Sequence, residues 1–220
     1  IIFIIIGLLF KVSAVPFHMW APDVYEGSPT PVTVFIASVP KVAVFIIFCR
    51  ILYEPFGLLV YHYEKIIYFV AILSMVVGAL GAINQTNFKR LLAYSAMNHV
   101  GFMLIALVHI DDESLRSLIL YLVIYSITII GAFAFLMAIK QSHFSNDVAD
   151  KKPLEDLSAL SGLSSTSPYI AFAITILMLS MAGLPPFAGF FAKFFILMVA
   201  LNNSFVELAL LGAISTVVAA

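Results

Sequence analysis

Three lysines lie inside apolar segments, where a charged side chain is costly. Lys11 is in the run 7–12, Lys41 in 36–45 and Lys193 in 189–196. A charge at the centre of a bilayer costs about 2.5–3.5 kcal/mol on insertion scales, so such residues usually serve a function. A lysine held away from water also releases its proton more readily than one in water, which an arginine does not do. The set predicts a proton path; the alternative is structural lysines that are neutral or paired.

Two histidines could extend such a path. His18 follows Lys11 by seven residues, about two helical turns, and His99 lies in the run 94–101. Histidine titrates near neutral pH and suits a proton relay. For both residues the alternative is a structural histidine with satisfied hydrogen bonds, and for His99 that alternative is the stronger one. The remaining histidines are interpreted as loop or interface residues: His62, His109 and His143.

Two pairs of charged residues have simpler interpretations. Asp23 and Glu26 lie in a turn-rich segment with three prolines, at 22–31. They could cap the next helix, pair with a neighbour or face solvent. Lys89 and Arg90 follow the polar run 84–87. We interpret them as a basic pair at the membrane interface.

The composition predicts that the segments carrying these residues are embedded in lipid rather than in water. Hydrophobic residues make up 63% of the 220 residues and charged residues only 10%. The apolar runs are too long for barrel strands, so the fold class is an all-α, polytopic bundle of transmembrane helices. We predict eight helical segments: 1–20, 30–52, 66–84, 90–109, 115–139, 168–183, 187–201 and 205–220.

Two of these segments are expected to be broken helices. Pro16 interrupts the first segment shortly after Lys11, and Gly183, Pro185 and Pro186 interrupt the chain ahead of Lys193. A break at membrane depth survives only where it is packed in protein or lines a wet cavity. Broken helices at this depth are typical of transporter sites.

The links between segments indicate an orientation. The long polar stretch 141–167 is predicted to be a linker between two helix groups rather than a catalytic domain. It shares a face with the 84–90 link, and the two carry more lysine and arginine than the opposite face. The cytoplasm or matrix is therefore favoured for this face. The residues counted are Lys89, Arg90, Lys140, Lys151 and Lys152 against Arg50, Lys65 and Arg116.

Several functional classes receive no support. A net charge of −1 gives no basic surface for nucleic acid, and the single Cys49 excludes an intrachain disulfide and a cysteine-ligated iron–sulfur cluster. No phosphate loop, dinucleotide fingerprint, metal-binding pair or nucleophile elbow is present. The chain starts without methionine and ends inside an apolar run, so we expect an internal fragment of a longer protein or one piece of a split subunit.

Three stretches carry a family resemblance. Residues 10–32 read FKVSAVPFHMWAPDVYEGSPTPV, residues 84–95 read NQTNFKRLLAYS and residues 179–194 read LSMAGLPPFAGFFAKF. In this order they resemble the N-type antiporter-like membrane subunits of respiratory complex I, whose mitochondrial counterpart is NADH dehydrogenase subunit two. The match covers essentially the whole chain, and the first stretch favours the N type over its M-type and L-type relatives.

The resemblance implies a fold of two inverted five-helix repeats, each with a broken helix. The chain would form one transmembrane domain over 1–220, with the end of the first repeat at 1–65 and most of the second at 66–220. The family's proton-translocating lysines match Lys11, Lys41 and Lys193, and its histidine after the first break matches His18. The family also uses a glutamate two helices upstream of Lys11, and the sequence begins too late to contain it.

The resemblance implies a proton pump driven by NADH oxidation and quinone reduction in other subunits. No cofactor is expected in this chain; FMN, iron–sulfur clusters and ubiquinone would belong to partner subunits. Expected partners are other membrane-arm subunits and lipids. The alternatives are an Mrp-type cation/proton antiporter subunit, an electron carrier with haem between histidines such as His18 and His99, and a scaffold with inert lysines. The many phenylalanines and isoleucines favour the mitochondrial inner membrane, with a bacterial plasma membrane as the alternative.

Overall fold

The computed structural model describes residues 1–143 and 155–219, and this part of the chain is a bundle of α-helices. Two short 3₁₀ turns, Gly57–Leu59 and Leu157–Leu160, occur in the links. The helices are α1 (Ile2–Lys11), α2 (Trp20–Gly27), α3 (Thr30–Tyr53), α4 (Val60–Ile83), α5 (Phe88–Val108), α6 (Asp112–His143), α7 (Leu163–Thr166), α8 (Pro168–Ala182), α9 (Ala188–Asn202) and α10 (Val206–Ala219). The predicted all-α fold class is confirmed.

Both predicted helix breaks are present. The first apolar segment ends as a helix at Lys11 and resumes at Trp20, with Pro16 in the gap. The second break separates α8 from α9, and Gly183 ends α8 with φ of 87°, a left-handed conformation that glycine adopts without steric cost. Each break leaves the end of a half-helix inside an apolar part of the chain.

Several helix bounds differ from the predicted ones. The predicted segment 1–20 is an α-helix only over Ile2–Lys11 and at Trp20, and residues 22–27 of the turn-rich segment belong to α2. Helix α4 begins at Val60 rather than 66, and α6 runs over Asp112–His143 rather than 115–139. Hydropathy marks the lipid-facing depth of a helix, whereas backbone hydrogen bonding continues through polar end residues such as His62 and Glu64. Part of the predicted linker, 144–154 with Lys151 and Lys152, lies outside the described residues.

Length and composition make four helices suitable for crossing a membrane: α3, α4, α5 and the part of α6 up to Ile139. The other apolar helices, α1, α8, α9 and α10, have 10 to 15 residues each. A full crossing needs about 20 residues at 1.5 Å per residue. The two halves α8 and α9, with 15 residues each, are therefore both shorter than a full crossing.

Helix α5 lies at the centre of the bundle, since every residue from Ala96 to Val108 is buried. It packs against α2, α4, α6 and α9. Small residues let α4 and α5 approach closely: a Cβ at Gly78 would lie 2.5 Å from the Asn98 nitrogen, and one at Gly101 would lie 2.6 Å from Met75 Cγ. Close packing through small residues is typical of membrane helices.

One end of the bundle joins the polar links. Asn87 and Asp156 form an isolated antiparallel bridge, in which the Phe88 nitrogen donates to the Glu155 carbonyl at 2.7 Å. Lys89 Nζ donates to the Ser28 carbonyl, just beyond α2, at 2.7 Å. We call this end, formed by residues 84–90, the C-terminal end of α2 and residues 155–167, the link face.

Candidate functional site

Lys41, His99 and Lys193 are brought together in the interior of the bundle. They lie on α3, α5 and α9, and their exposed fractions are 2%, 5% and 3%. The Tyr125 ring contacts both Lys41 Nζ and the His99 ring, and Phe102, which stacks on Tyr121, contacts Lys193 Nζ. Three residues separated by up to 152 positions in sequence therefore form one buried polar cluster, which we call the central cluster.

Lys41 is surrounded by two tyrosines. Its ammonium Nζ lies 3.4 Å from the Tyr125 hydroxyl and 5.6 Å from the centroid of the Tyr125 ring. The Tyr25 ring centroid is 5.9 Å from the same nitrogen, so both rings are within cation–π range. The Tyr125 hydroxyl donates a hydrogen bond to the Ala37 carbonyl at 3.1 Å, one turn before Lys41. Aromatic faces can hold the ammonium in an apolar interior without a carboxylate.

His99 is fixed by a hydrogen bond. Its Nδ1 lies 2.8 Å from the Tyr121 hydroxyl, and the tautomer decides which of the two donates. Its ring centroid is 5.4 Å from that of Tyr125 and 5.8 Å from that of Tyr121. Since Tyr125 also contacts Lys41, the two tyrosines of α6, one helical turn apart, connect the lysine and histidine positions.

Lys193 binds the end of the broken helix. Its Nζ donates to the Ala182 carbonyl at 2.9 Å and lies 5.2 Å from the centroid of Phe102. Ala182 is the last residue of α8, where carbonyls lack intrahelical partners and the helix dipole favours a cation. A Cβ on Gly183 would lie 2.8 Å from Lys193 Cδ, so the glycine leaves room for the lysine stem.

A small cavity lies between His99 and the α8–α9 break. Its volume is about 10 Å³, close to the minimum for a single water molecule. The lining includes His99, Tyr121 and Tyr125 on one side and Ser180 and Gly189 on the other. A bridging group in this cavity would connect His99 to the break that holds Lys193.

Lys11 and His18 occupy the first break. Lys11 is the last residue of α1 and is exposed. His18 lies between α1 and α2, and its Nδ1 is buried with no hydrogen-bond partner among the described residues. Within the described residues, no hydrogen bond, ion pair or ring contact joins either residue to the central cluster. Their proposed role in proton transfer stays a prediction.

The ion-pair partners of Lys89 and Arg90 are visible, whereas the position of these residues at the membrane interface stays a prediction. Lys89 is 2% exposed, and its Nζ forms an ion pair with Glu155 at 2.9 Å. Arg90 Nη1 is 2.7 Å from a Glu26 oxygen and 3.0 Å from an Asp23 oxygen. Of the alternatives for Asp23 and Glu26, pairing with a neighbour is therefore the observed one. Lys89 is next to a polar link in the sequence, but packing against the end of α2 and residues 155–160 buries it.

Sequence reasoning missed Tyr25, Tyr121 and Tyr125. Each is buried, and the Tyr25 hydroxyl has no hydrogen-bond partner among the described residues. A usable signal was the i, i+4 spacing of Tyr121 and Tyr125, which places two hydroxyls on one face of an otherwise apolar helix. Metal binding has little support, since the described residues contain no group of three or more His, Cys, Asp or Glu side chains suited to an ion.

The chain is similar to several known proteins. NADH-quinone oxidoreductase subunit N of Rhodospirillum rubrum is 46% identical over all 220 residues, and that of Pelagibacter ubique is also 46% identical over the whole chain. A chain of respiratory complex I from Thermus thermophilus, solved with bound aureothin, is 35% identical with a TM-score of 0.78 over 97% of this chain and 44% of that one. A chain of the Mrp complex from Dietzia sp. shares the fold, with a TM-score of 0.85 at 24% identity over 97% of this chain and 38% of that one.

The chain spans less than half the length of these relatives, 44% of the Rhodospirillum rubrum protein and 45% of the Pelagibacter ubique protein. The relatives are bacterial, so they give the mitochondrial expectation no support, whereas membrane location agrees with the apolar helices. The family described as "NADH:quinone oxidoreductase/Mrp antiporter, TM" matches residues 1–219. The protein therefore belongs to the NADH:quinone oxidoreductase/Mrp antiporter transmembrane family.

Proposed function

We propose that this chain is part of a proton-translocating membrane subunit of an NADH:quinone oxidoreductase. Its role is to move protons along the central cluster while other subunits oxidise NADH and reduce quinone. The observation that carries the proposal is the burial of Lys41, His99 and Lys193 in one polar cluster, with a tyrosine hydroxyl at Lys41 and another at His99. Subunit N relatives at 44–46% identity over the whole chain support the redox-linked assignment.

The proton route follows from the contacts. A proton on Lys41 can reach the Tyr125 hydroxyl at 3.4 Å, and His99 and Tyr121 share a hydrogen bond of 2.8 Å on the same face of α6. From His99 the small cavity leads to the break whose Ala182 carbonyl holds the Lys193 ammonium. Lys11 and His18 form the proposed upstream end, at the first break. Each residue accepts and releases one proton per transfer, so no group is consumed.

The cofactors of the reaction are assigned to other subunits. FMN, iron–sulfur clusters and ubiquinone would act in partner chains, and conformational or electrostatic changes would reach the lysines through the membrane arm. Partners are other membrane-arm subunits and lipids. The bacterial relatives favour the plasma membrane, the alternative location named from the sequence.

Isolation of the native complex tests this assignment. The complex that contains the chain should be large, should include flavin and iron–sulfur subunits and should reduce quinone with NADH. A small complex without redox subunits would make an Mrp-type cation/proton antiporter the better assignment. A Soret band that follows the purified chain would instead support the haem alternative.

Substitution of Lys193 tests the proton role. In the assembled complex, both Lys193→Ala and Lys193→Arg should slow NADH-driven proton pumping about tenfold or more, since a positioned acid–base group contributes at least that much. Arginine keeps the charge but does not release its proton. Lys65→Ala removes a lysine from the exposed first turns of α4 and is the matched control. Full pumping in both Lys193 variants would refute the proposed role.

A further inference from the structure

An apolar groove runs along the outer surface of the bundle between α3 and α6. Two adjoining depressions of about 340 and 380 Å³ form it, and both are lined by Val42, Ile46 and Ser126. Because the depressions share these residues, the groove is continuous over both. Ala43 and Ser126 are smaller than the isoleucines around them, which leaves space between the two helices. No residue of the central cluster lines the groove.

The side chains of the groove offer a ligand almost no hydrogen bonds. The lining contains two hydroxyls, and each is satisfied within its own helix: Ser38 Oγ donates to the Val34 carbonyl and Ser126 Oγ to the Leu122 carbonyl, both at 2.7 Å. The other lining residues are aliphatic, and Ile127, for example, is 65% exposed. A concave apolar surface on a membrane helix pair therefore fits a hydrocarbon chain and leaves the polar groups of a ligand unpaired.

The groove leads to two arginines at the end of the bundle opposite the link face. Helix α3 begins beside the link face, whereas α6 begins at the opposite end, where α5 finishes. The two helices are therefore antiparallel, and Ile46 of α3 and Ile119 of α6 line the same depression. Arg50 follows Ile46 by four residues, and Arg116 precedes Ile119 by three. Each arginine thus lies one turn beyond the groove on the same helix face.

Both arginines are available to a ligand. Arg50 Nε lies 3.3 Å from a Glu54 oxygen, but the two side chains are 75% and 59% exposed, so this ion pair contributes little. Arg116 is exposed, and none of the ion pairs found among the described residues includes it. A guanidinium group binds phosphate through two parallel hydrogen bonds. The two side chains therefore give the outer end of the groove a charge that complements a phosphate group.

The dimensions of the groove match one leaflet of a bilayer. Ser38, at the inner end, precedes Arg50 by twelve residues, which is about 18 Å along a helix at 1.5 Å per residue. The hydrocarbon core of a bilayer is about 30 Å thick, so one leaflet contributes about 15 Å. A phospholipid whose phosphate is bound by the arginines would therefore place an acyl chain along the groove.

We propose that the groove between α3 and α6 is a binding site for a phospholipid with an anionic head group. Arg50 and Arg116 bind its phosphate, and the aliphatic lining holds one of its acyl chains. A lipid with a net negative head group is favoured over a zwitterionic one, because the two arginines bring positive charge and only the exposed Glu54 opposes it. The inference does not depend on the proposed function, since lipid binding requires no proton transfer.

Photo-crosslinking of lipid in the native membrane complex tests the site. The complex that contains the chain is reconstituted in phosphatidylcholine together with phosphatidylglycerol or phosphatidylcholine that carries a photoreactive group in one acyl chain. Peptide mass spectrometry then locates the label. The phosphatidylglycerol probe should label residues 38–46 and 119–130 severalfold more than the phosphatidylcholine probe, and unlabelled phosphatidylglycerol should remove the difference. This comparison uses the unaltered complex, so it decides the question even where a variant fails to assemble.

Two kinds of variant test the parts of the site. Arg50→Gln combined with Arg116→Gln should lower labelling by phosphatidylglycerol severalfold, because the phosphate loses both guanidinium groups. Lys65→Gln, which removes an exposed cation at the same end of the bundle, is the matched control. Ala43→Phe should also lower labelling, because the larger ring fills the groove. Ala173→Phe, at an exposed position of α8, is its control.

Three results would overturn the inference. Equal labelling of the groove by both probes would mean contact with bulk lipid and no recognition of the head group. Preferential labelling by phosphatidylglycerol that survives the loss of both arginines would assign the recognition to other residues. Absence of label from residues 38–46 and 119–130, with label elsewhere on the complex, would mean that a neighbouring subunit or another part of a longer chain covers the groove.

Discussion

Removal of the Tyr125 hydroxyl should weaken the connection between Lys41 and the rest of the central cluster. The substitution Tyr125→Phe keeps the ring that faces Lys41 and removes only the oxygen. That oxygen lies 3.1 Å from the Ala37 carbonyl oxygen and 3.4 Å from Lys41 Nζ. The first distance is that of an ordinary hydrogen bond, and the second exceeds the usual 2.7–3.2 Å range.

The magnitude follows from these two distances. A normal neutral hydrogen bond contributes about 1 kcal/mol, and a bond to a charged group about 1.5–3 kcal/mol at good geometry. Because 3.4 Å is longer than a normal hydrogen bond, the contact with Lys41 should contribute about 1 kcal/mol, less than a bond to a charged group at good geometry. If that contact is present while a proton moves, its loss should slow transfer about fivefold.

The assay is the rate of NADH-driven proton uptake by vesicles that contain the assembled complex, normalised to the amount of complex. Tyr169→Phe, in which the same oxygen is removed from a tyrosine that is 89% exposed, is the matched control. Tyr125→Phe should pump about fivefold more slowly than this control. Equal rates in the two variants, at equal assembly, would refute the argument that Tyr125 connects Lys41 to the cluster.

Two further substitutions give different readouts. Gly183→Ala should impair pumping, because φ of 87° costs a residue with a Cβ about 1–2 kcal/mol and the new Cβ would push Lys193 away from the Ala182 carbonyl. The control is Gly7→Ala, since a Cβ at Gly7 meets nothing within 4 Å. Equal pumping in the two variants would contradict the prediction. Lys89→Ala should lower the free energy of unfolding by about 3 kcal/mol, because the buried ion pair with Glu155 loses one partner. The amount of assembled complex and its melting temperature report this loss, and values equal to those of Lys65→Ala would contradict it.

The sequence was sufficient for the fold class and for the positions of the breaks. Long apolar runs leave only helices as a way to satisfy backbone hydrogen bonds in lipid. Pro16 and the Gly183–Pro186 segment interrupt those helices for local steric reasons, which do not depend on the helices packed around them. The placement of Lys41 and Lys193 in apolar runs likewise predicted their burial, whereas Lys11, in a similar apolar run, is exposed.

The sequence was not sufficient for the contacts between helices. His99 had the weaker signal of the two histidines, yet α5 is the most enclosed of the described membrane-crossing helices and holds His99 in the central cluster. Helices this hydrophobic on all sides have no amphipathic pattern that shows which face is inside. The i, i+4 spacing of Tyr121 and Tyr125 marks one face of α6, but it does not show whether that face points inward or toward lipid. The burial of Lys89 could not be predicted, because it depends on Glu155, more than sixty positions away in the chain.

The most direct test of the central claim is the number of protons pumped per NADH oxidised in the complex with Lys41→Ala. Lys41 is 2% exposed and contacts Tyr125, so its loss interrupts the proposed path without removing a surface charge. The account predicts a lower ratio than in the complex with Lys65→Ala, which loses an exposed lysine of the same subunit. An unchanged ratio and an unchanged pumping rate at normal assembly would contradict the claim that protons pass through the central cluster.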